Sequence, residues 1–149
     1  MMPNTSCISI FDNELKCRQA IKNLQSRHYS LRNVSIIARN NVCNELYEIF
    51  NDAISLDVSG IGQLQVAGQL VDVYAHLQSL ENSGQLNLQG SAFDMLLSKI
   101  GVPAKHIAEY QQAVIDNKIL LLVLDAQQKV EQASEVLHNE CQQVTVHRM

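Results

Sequence analysis

Six aliphatic residues in a row, Ile119-Leu120-Leu121-Leu122-Val123-Leu124, constrain this chain more than any other feature. The run is bounded by Lys118 and Asp125. It falls far short of the roughly 20 apolar residues that a membrane helix needs. Its length suits a strand, and a strand with no polar residue at alternate positions must be covered on both faces. A sheet holding such a strand needs a layer on each side. The 149 residues have room for one domain of that kind.

The residues after the run repeat an order already met at the N-terminus. Asp125 is placed to cap a helix, with Gln128 as a capping-box partner, and Ala126, Val130, Ala133 and Leu137 step by four, three and four. Gln143–His147 then alternates as a half-buried strand. At the other end Ser6–Ile10 reads as a strand and Asp12 as a cap. Leu15, Cys17, Ala20, Ile21 and Leu24 have helical spacing, and Asn33–Arg39 is a second strand. With Asp12 set on Asp125, Lys16 meets Lys129, Gln19 meets Gln132, Ala20 meets Ala133 and Leu24 meets Leu137. Two βαβ halves in one chain predict an α+β, ferredoxin-like (βαβ–βαβ) sandwich, with halves at 6–39 and 118–148. Its two helices cover one face of the sheet and leave the other to be covered.

Residues 40–117 are the expected cover, a mostly helical insert within a single domain over 1–149. Ile54, Leu56 and Val58 alternate, as do Leu64 and Val66, about Ser59-Gly60-Ile61-Gly62. This fits a small hairpin or an extended glycine loop. Val66, Leu70, Val73, Leu77 and Leu80 predict an amphipathic helix with a near-heptad seam, able to pack on its own sheet or on a second copy. Ser91 and Asp94 suit the start of a helix carrying Phe93, Leu96, Leu97 and Ile100. Gly101 and Pro103 are read as structural residues. Gly101 ends that helix with a positive φ, Val102 folds back on its apolar face, and Pro103 opens the next helix, which buries Ile107, Tyr110 and Val114.

Composition narrows the function classes. Aromatics make up 5% with no Trp, so the core is aliphatic. The 15 Gln and 12 Asn match the formally charged residues in number, which makes the surface polar and weakly charged. A net charge of −4 offers no basic footprint for nucleic acid. The N-terminus shows neither a basic n-region nor an apolar h-region, and no two cysteines stand at Cys-x-x-Cys spacing. The expectation is a cytoplasmic protein with free thiols, Cys7 and Cys17 serving as small hydrophobes.

Three kinds of chemistry were weighed on the residues. Gly60, Gly62 and Gly68 can form a backbone nest for an anion, but no Lys or Arg lies between Arg39 and Lys99. Packing of backbone on the sheet is the favoured reading of these glycines. His138, Cys141 and His147 include metal-ligating types without a fourth ligand at motif spacing, so no metal and no cofactor are expected. His28, His76, His106, His138 and His147 are scattered, and the carboxylate pairs Glu45/Glu48 and Glu131/Glu135 fall on wet helix faces. No catalytic residue is assigned on that basis.

The segment from Val58 to Leu70, Val-Ser-Gly-Ile-Gly-Gln-Leu-Gln-Val-Ala-Gly-Gln-Leu, is followed by Leu97-Ser-Lys-Ile-Gly-Val-Pro103 and, through Glu109-Tyr110, by Ile119–Leu124. Together these resemble a bacterial family of small general-stress or heat-induced stress proteins with a glycine-rich middle. The resemblance covers most of the chain. It implies the βαβ start and a loose link to stress, and it implies no reaction and no catalytic residues. The family's middle can look like a membrane hairpin. Here Gln63, Gln65, Gln69, Asp72 and His76 interrupt it, so no membrane insertion is expected. Where the family has a glycine pair before the third strand, Asp116-Asn117-Lys118 stands here. The expected function is non-catalytic, by association with itself as a dimer or with an unidentified protein partner. The alternative is a small-ligand-binding regulatory module using the loop at Gly60–Gly62 with a cation such as Arg39 or Lys99.

Overall fold

The aliphatic run forms a strand, Ile119–Asp125, at the centre of the sheet, and every residue from Ile119 to Leu124 is buried. The computed structural model describes residues 5–40, 42–43, 49–50, 53–58, 61–82, 92–139 and 143–148. In chain order the elements are β1 (Thr5–Phe11), α1 (Glu14–Ser26), β2 (Val34–Arg39), β3 (Ala53–Val58), β4 (Gly62–Gly68), α2 (Val71–Asn82), α3 (Ala92–Lys99), α4 (Ala104–Ile115), β5 (Ile119–Asp125), α5 (Gln127–His138) and β6 (Val144–Arg148). A short 3₁₀ turn, Leu31–Asn33, leads into β2. The fold is α+β.

The six strands form one antiparallel sheet in the order β3-β4-β2-β5-β1-β6. Strand β5 runs between β1 and β2, with Ile8 opposite Leu122 and Ile36 opposite Leu121. Side chains of alternate residues divide between two cores. Ile8, Ile10, Ile37, Leu120, Leu122 and Leu124 meet Tyr74 of α2, Phe93, Leu96 and Leu97 of α3, and Tyr110 and Val114 of α4. On the other face Cys7, Phe11, Ile36, Ile119, Leu121 and Val123 meet α1 and α5. Each fully buried Leu or Ile contributes roughly 1.5–3 kcal/mol, so the two cores carry most of the stability.

Helices α1 and α5 are built alike. Cys17, Ala20, Ile21 and Leu24 are buried in α1. Val130, Ala133, Ser134 and Leu137 are buried at the corresponding positions of α5. The caps differ from expectation by one residue. Asn13, not Asp12, caps α1, its Oδ1 accepting from the Lys16 amide at 2.9 Å. Asp12 instead pairs with Lys118 at 3.5 Å. The N-cap of α5 is Ala126, with no side-chain cap. Asp125 is still in the strand, and its carboxylate takes the Ala126 amide at 2.7 Å and the Asn33 amide group at 2.9 Å.

The middle segment contributes strands as well as helices. Strands β3 and β4 pair as a hairpin, with Ile54 opposite Val66, and β4 adds to the free edge of β2. Val66 is therefore in a strand, not at the head of the helix. The helical spacing from Val66 to Leu70 is interrupted by Gly68, whose φ of 98° no helix continues through. Of the rest of the seam, Leu70 and Leu77 are buried against the sheet and Val73 and Leu80 are half-buried, while Tyr74, outside the seam, is fully buried beside them.

The Gly101 corner is as expected. Gly101 has φ 96°, its amide bonds to the Ser98 carbonyl at 3.2 Å, and the Val102 amide reaches back to Leu97 at 3.0 Å. That pair of bonds is a Schellman end, and Val102 is buried beneath it. Pro103 stands at the N-cap of α4 rather than in its first turn. Ser91 lies outside the described residues.

Candidate functional site

Of the three glycines, Gly68 is taken up by packing, the favoured reading. A Cβ on Gly68 would stand 2.2 Å from the Val34 carbonyl oxygen and 2.9 Å from Ser35 Cα, so the backbone of β4 approaches β2 where no side chain fits. The Ser35 hydroxyl accepts from the Leu70 amide at 3.0 Å and caps the start of α2 from the neighbouring strand. Gly62 has φ 107° and lies beside Arg39, whose Nη2 would be 3.8 Å from an added Cβ. The same guanidinium donates through Nη1 to the Ile115 carbonyl at 3.1 Å, so it also closes the end of α4. Lys99 ends α3. Gly60 lies outside the described residues.

Of the candidate metal ligands, the two among the described residues, His138 and His147, do not converge. His147 faces α4, whereas His138 ends α5 on the opposite side of the sheet. Cys141 lies outside the described residues, as do Glu45 and Glu48. Cys7, Cys17 and Cys43 are buried thiols. Burial, with the Glu14 carboxylate adding to it, pushes the Cys43 thiol up to about 12.

Two polar places stand out. The first is a cleft of about 370 Å³ between the end of α1 and the face of α5, lined by Arg27, Tyr29, Gln132, Glu135 and Asn139. Tyr29 donates its hydroxyl to the Lys129 carbonyl at 2.5 Å, which locks the ring across the cleft. Burial, then the carboxylate of Asp125, raises the Tyr29 pKa above its ordinary value.

The second place is a cluster where α4 meets β6. Tyr110 Oη lies 2.7 Å from His147 Nε2, both side chains buried. Thr145, two residues earlier on the same face of β6, also hydrogen-bonds the Tyr110 hydroxyl. The rings of His106 and His147 lie 5.5 Å apart. Glu109 takes His106 Nδ1 on one oxygen at 3.2 Å and the Gln143 side-chain amide on the other. Burial raises the Tyr110 pKa to about 12. Burial, then the neighbouring His106, lowers that of His147.

Sequence reasoning put Tyr110 in the core and His147 near an exposed end, and it did not join them. The available signal was the alternation Val144-Thr145-Val146-His147, which turns Thr145 and His147 to one face together. That α4 covers this face follows only from the pairing of β6 with β1.

No family model, curated protein or solved structure matches the chain. Among the described residues, no helix is long and apolar enough to cross a membrane.

Proposed function

We propose that this is a non-catalytic, cytoplasmic protein of the stress-related type that acts by association, in the first place with a second copy of itself. The observation that carries the reading is the edge strand β6. Both sheet faces are covered by the chain's own helices, so the apolar seam of α2 is not what a partner would meet. What remains is backbone. The Ile10 amide donates to the Gln143 carbonyl, so by antiparallel alternation Thr145 and His147 pair with β1 while Val144 and Val146 turn their amides and carbonyls outward. The opposite edge, β3, carries the exposed Asp57, the kind of charge that discourages strand addition. Val144, Thr145 and Val146 bear no charge, and two such strands related by a two-fold axis would continue the sheet.

The order β6-β1-β5-β2, antiparallel throughout, with α1 and α5 on one face, supports a ferredoxin-like reading of the four strands from the two βαβ halves. Strands β3 and β4 then extend it.

Light scattering after size exclusion tests the association. Val144→Pro removes only an outward amide at the first residue of β6, where proline is tolerated. The wild type is expected as a dimer and Val144→Pro as a folded monomer. A wild type that stays monomeric at high concentration ends the self-association reading. Pull-down from heat-stressed cells, with Val144→Pro as the control, then asks whether another strand-donating protein takes the edge.

The alternative, a small-ligand module, rests on Arg39 lying beside Gly62. A thermal-shift screen with nucleotides and small metabolites tests it. Ligand at 100 times its dissociation constant stabilises by about 2.7 kcal/mol, and Arg39→Gln should abolish that shift.

A further inference from the structure

We infer that the contact between α4 and β6 is a latch opened by acid: neutral His147 holds the edge strand to α4 through Tyr110, and protonating His147 loosens β6. Four groups stand around the imidazole. Helix α4 presents Tyr110, His106 and Glu109, and strand β1 presents Ser6 directly across the ladder. Ser6 gives its hydroxyl to the Ile100 carbonyl at 2.9 Å and brings no negative charge. Cys7, the next residue of β1, is a buried thiol.

The hydrogen-bond order fits a neutral ring. With Nε2 unprotonated, Tyr110 donates to it across 2.7 Å while the Tyr110 oxygen accepts from Thr145. An imidazolium has no acceptor, because both ring nitrogens then carry protons. Protonation therefore reverses this order, the Tyr110 oxygen now accepting from Nε2 and turning its own proton to Thr145, and it puts a charge where the side chain is 5% exposed. The His106 ring stands 5.5 Å away, centre to centre, and its charge disfavours a second one on His147. Glu109 is the one opposing carboxylate among these groups, and His106 and Gln143 already share it. Burial and His106 lower the His147 pKa, so the loss begins as pH falls below the ordinary histidine value of about 6.5.

The latch stands on the α4–β6 geometry. Its consequence, that acid changes self-association, rests on the proposed docking edge. Hydrogen exchange of backbone amides, corrected for the intrinsic rate, separates the two. Between pH 7.5 and 5 the Thr145 and His147 amides are expected to lose protection about tenfold more than amides of β5. The proton resonances of the His147 ring should titrate with the same midpoint. His106→Gln removes the repelling charge and should move that midpoint to higher pH. His147→Gln should make β6 protection independent of pH over this range, and Tyr110→Phe should lower it at both ends. Equal pH response in β6 and β5, or an unchanged response in His147→Gln, overturns the latch. If His147→Gln does not fold, a wild-type midpoint for β6 opening that differs from the His147 titration overturns it equally. A latch that responds as expected in a monomer leaves the latch standing and removes the docking edge.

Discussion

Two glycines show how differently one conformation can be used. Gly101 takes φ 96° to end α3, and Gly68 takes φ 98° where β4 touches the backbone of β2. Gly101→Ala is expected to cost on the order of 1 kcal/mol, the strain of placing a side chain in the left-handed region. Gly68→Ala adds a clash with the Val34 carbonyl that only a shift of the backbone relieves, and it should cost more. Urea melts of both variants test the order, and a smaller loss for Gly68→Ala contradicts it. The Gly101 requirement was legible in the sequence because a helix end is local: Leu96, Leu97 and Ile100 stop, and Val102-Pro103 follows. The Gly68 requirement was legible in kind, as close packing of backbone on the sheet, but not in its partners, because the atoms that fill its place belong to Val34 and Ser35. The thiols belong at this scale too. Cys7, Cys17 and Cys43 are buried, and Cys43 is held protonated to about pH 12. In a Cys141→Ser background, a thiol reagent at pH 8 should label the native protein slowly and the urea-unfolded protein at once. Fast labelling of the native chain would show that these sites open readily.

Among the elements, β5 was the most legible and the β3–β4 hairpin the least. Six consecutive aliphatic residues permit little besides a strand covered on both faces, and the structure places helices on each side of it. Leu122→Asp puts an unpaired charge into the core between β5, α3 and α4 and should abolish soluble folding. Leu15, on α1, is 73% exposed, so Leu15→Asp should melt like the wild type. Comparing soluble yield and circular dichroism of the two variants decides the matter, and a folded Leu122→Asp would refute the assigned core. The Val66–Leu80 segment was misread at its start because Val66 fits both periods. It lies four residues before Leu70 of the seam and two residues after Leu64. What settles the choice is the free edge of β2, which only a strand can pair. The α4–β6 cluster was hidden for a related reason. Its members Tyr110 and His147 meet only because β6 lies beside β1.

At the scale of the whole molecule, the two titrating groups of that cluster set opposite edges of a pH plateau. His147 has a folded pKa below its unfolded value, so its contribution is complete above about pH 6.5 and is lost as pH falls from there. Tyr110 has a folded pKa above its unfolded value of 10.0. Its contribution is complete below about pH 10 and is lost as pH rises toward about 12. Thermal melts should show a top that is flat from about pH 6.5 to about pH 9, where the raised Cys43 thiol begins its own loss. Tyr110→Phe should reduce the alkaline loss and leave the part due to Cys43 and Tyr29, and an undiminished loss in that variant contradicts the assignment to Tyr110. The central place of β5 has a consequence for how the protein comes to exist. Strands β1 and β2 share no neighbour until residues 119–125 have been made. A growing chain thus carries β1 unpaired, and β2 with only β4 beside it, through most of its synthesis, and the ends of the sequence must meet before either core can close. Folding that waits on such distant partners is slow. During that wait the exposed apolar surface and unpaired strand edges make the nascent chain prone to aggregate.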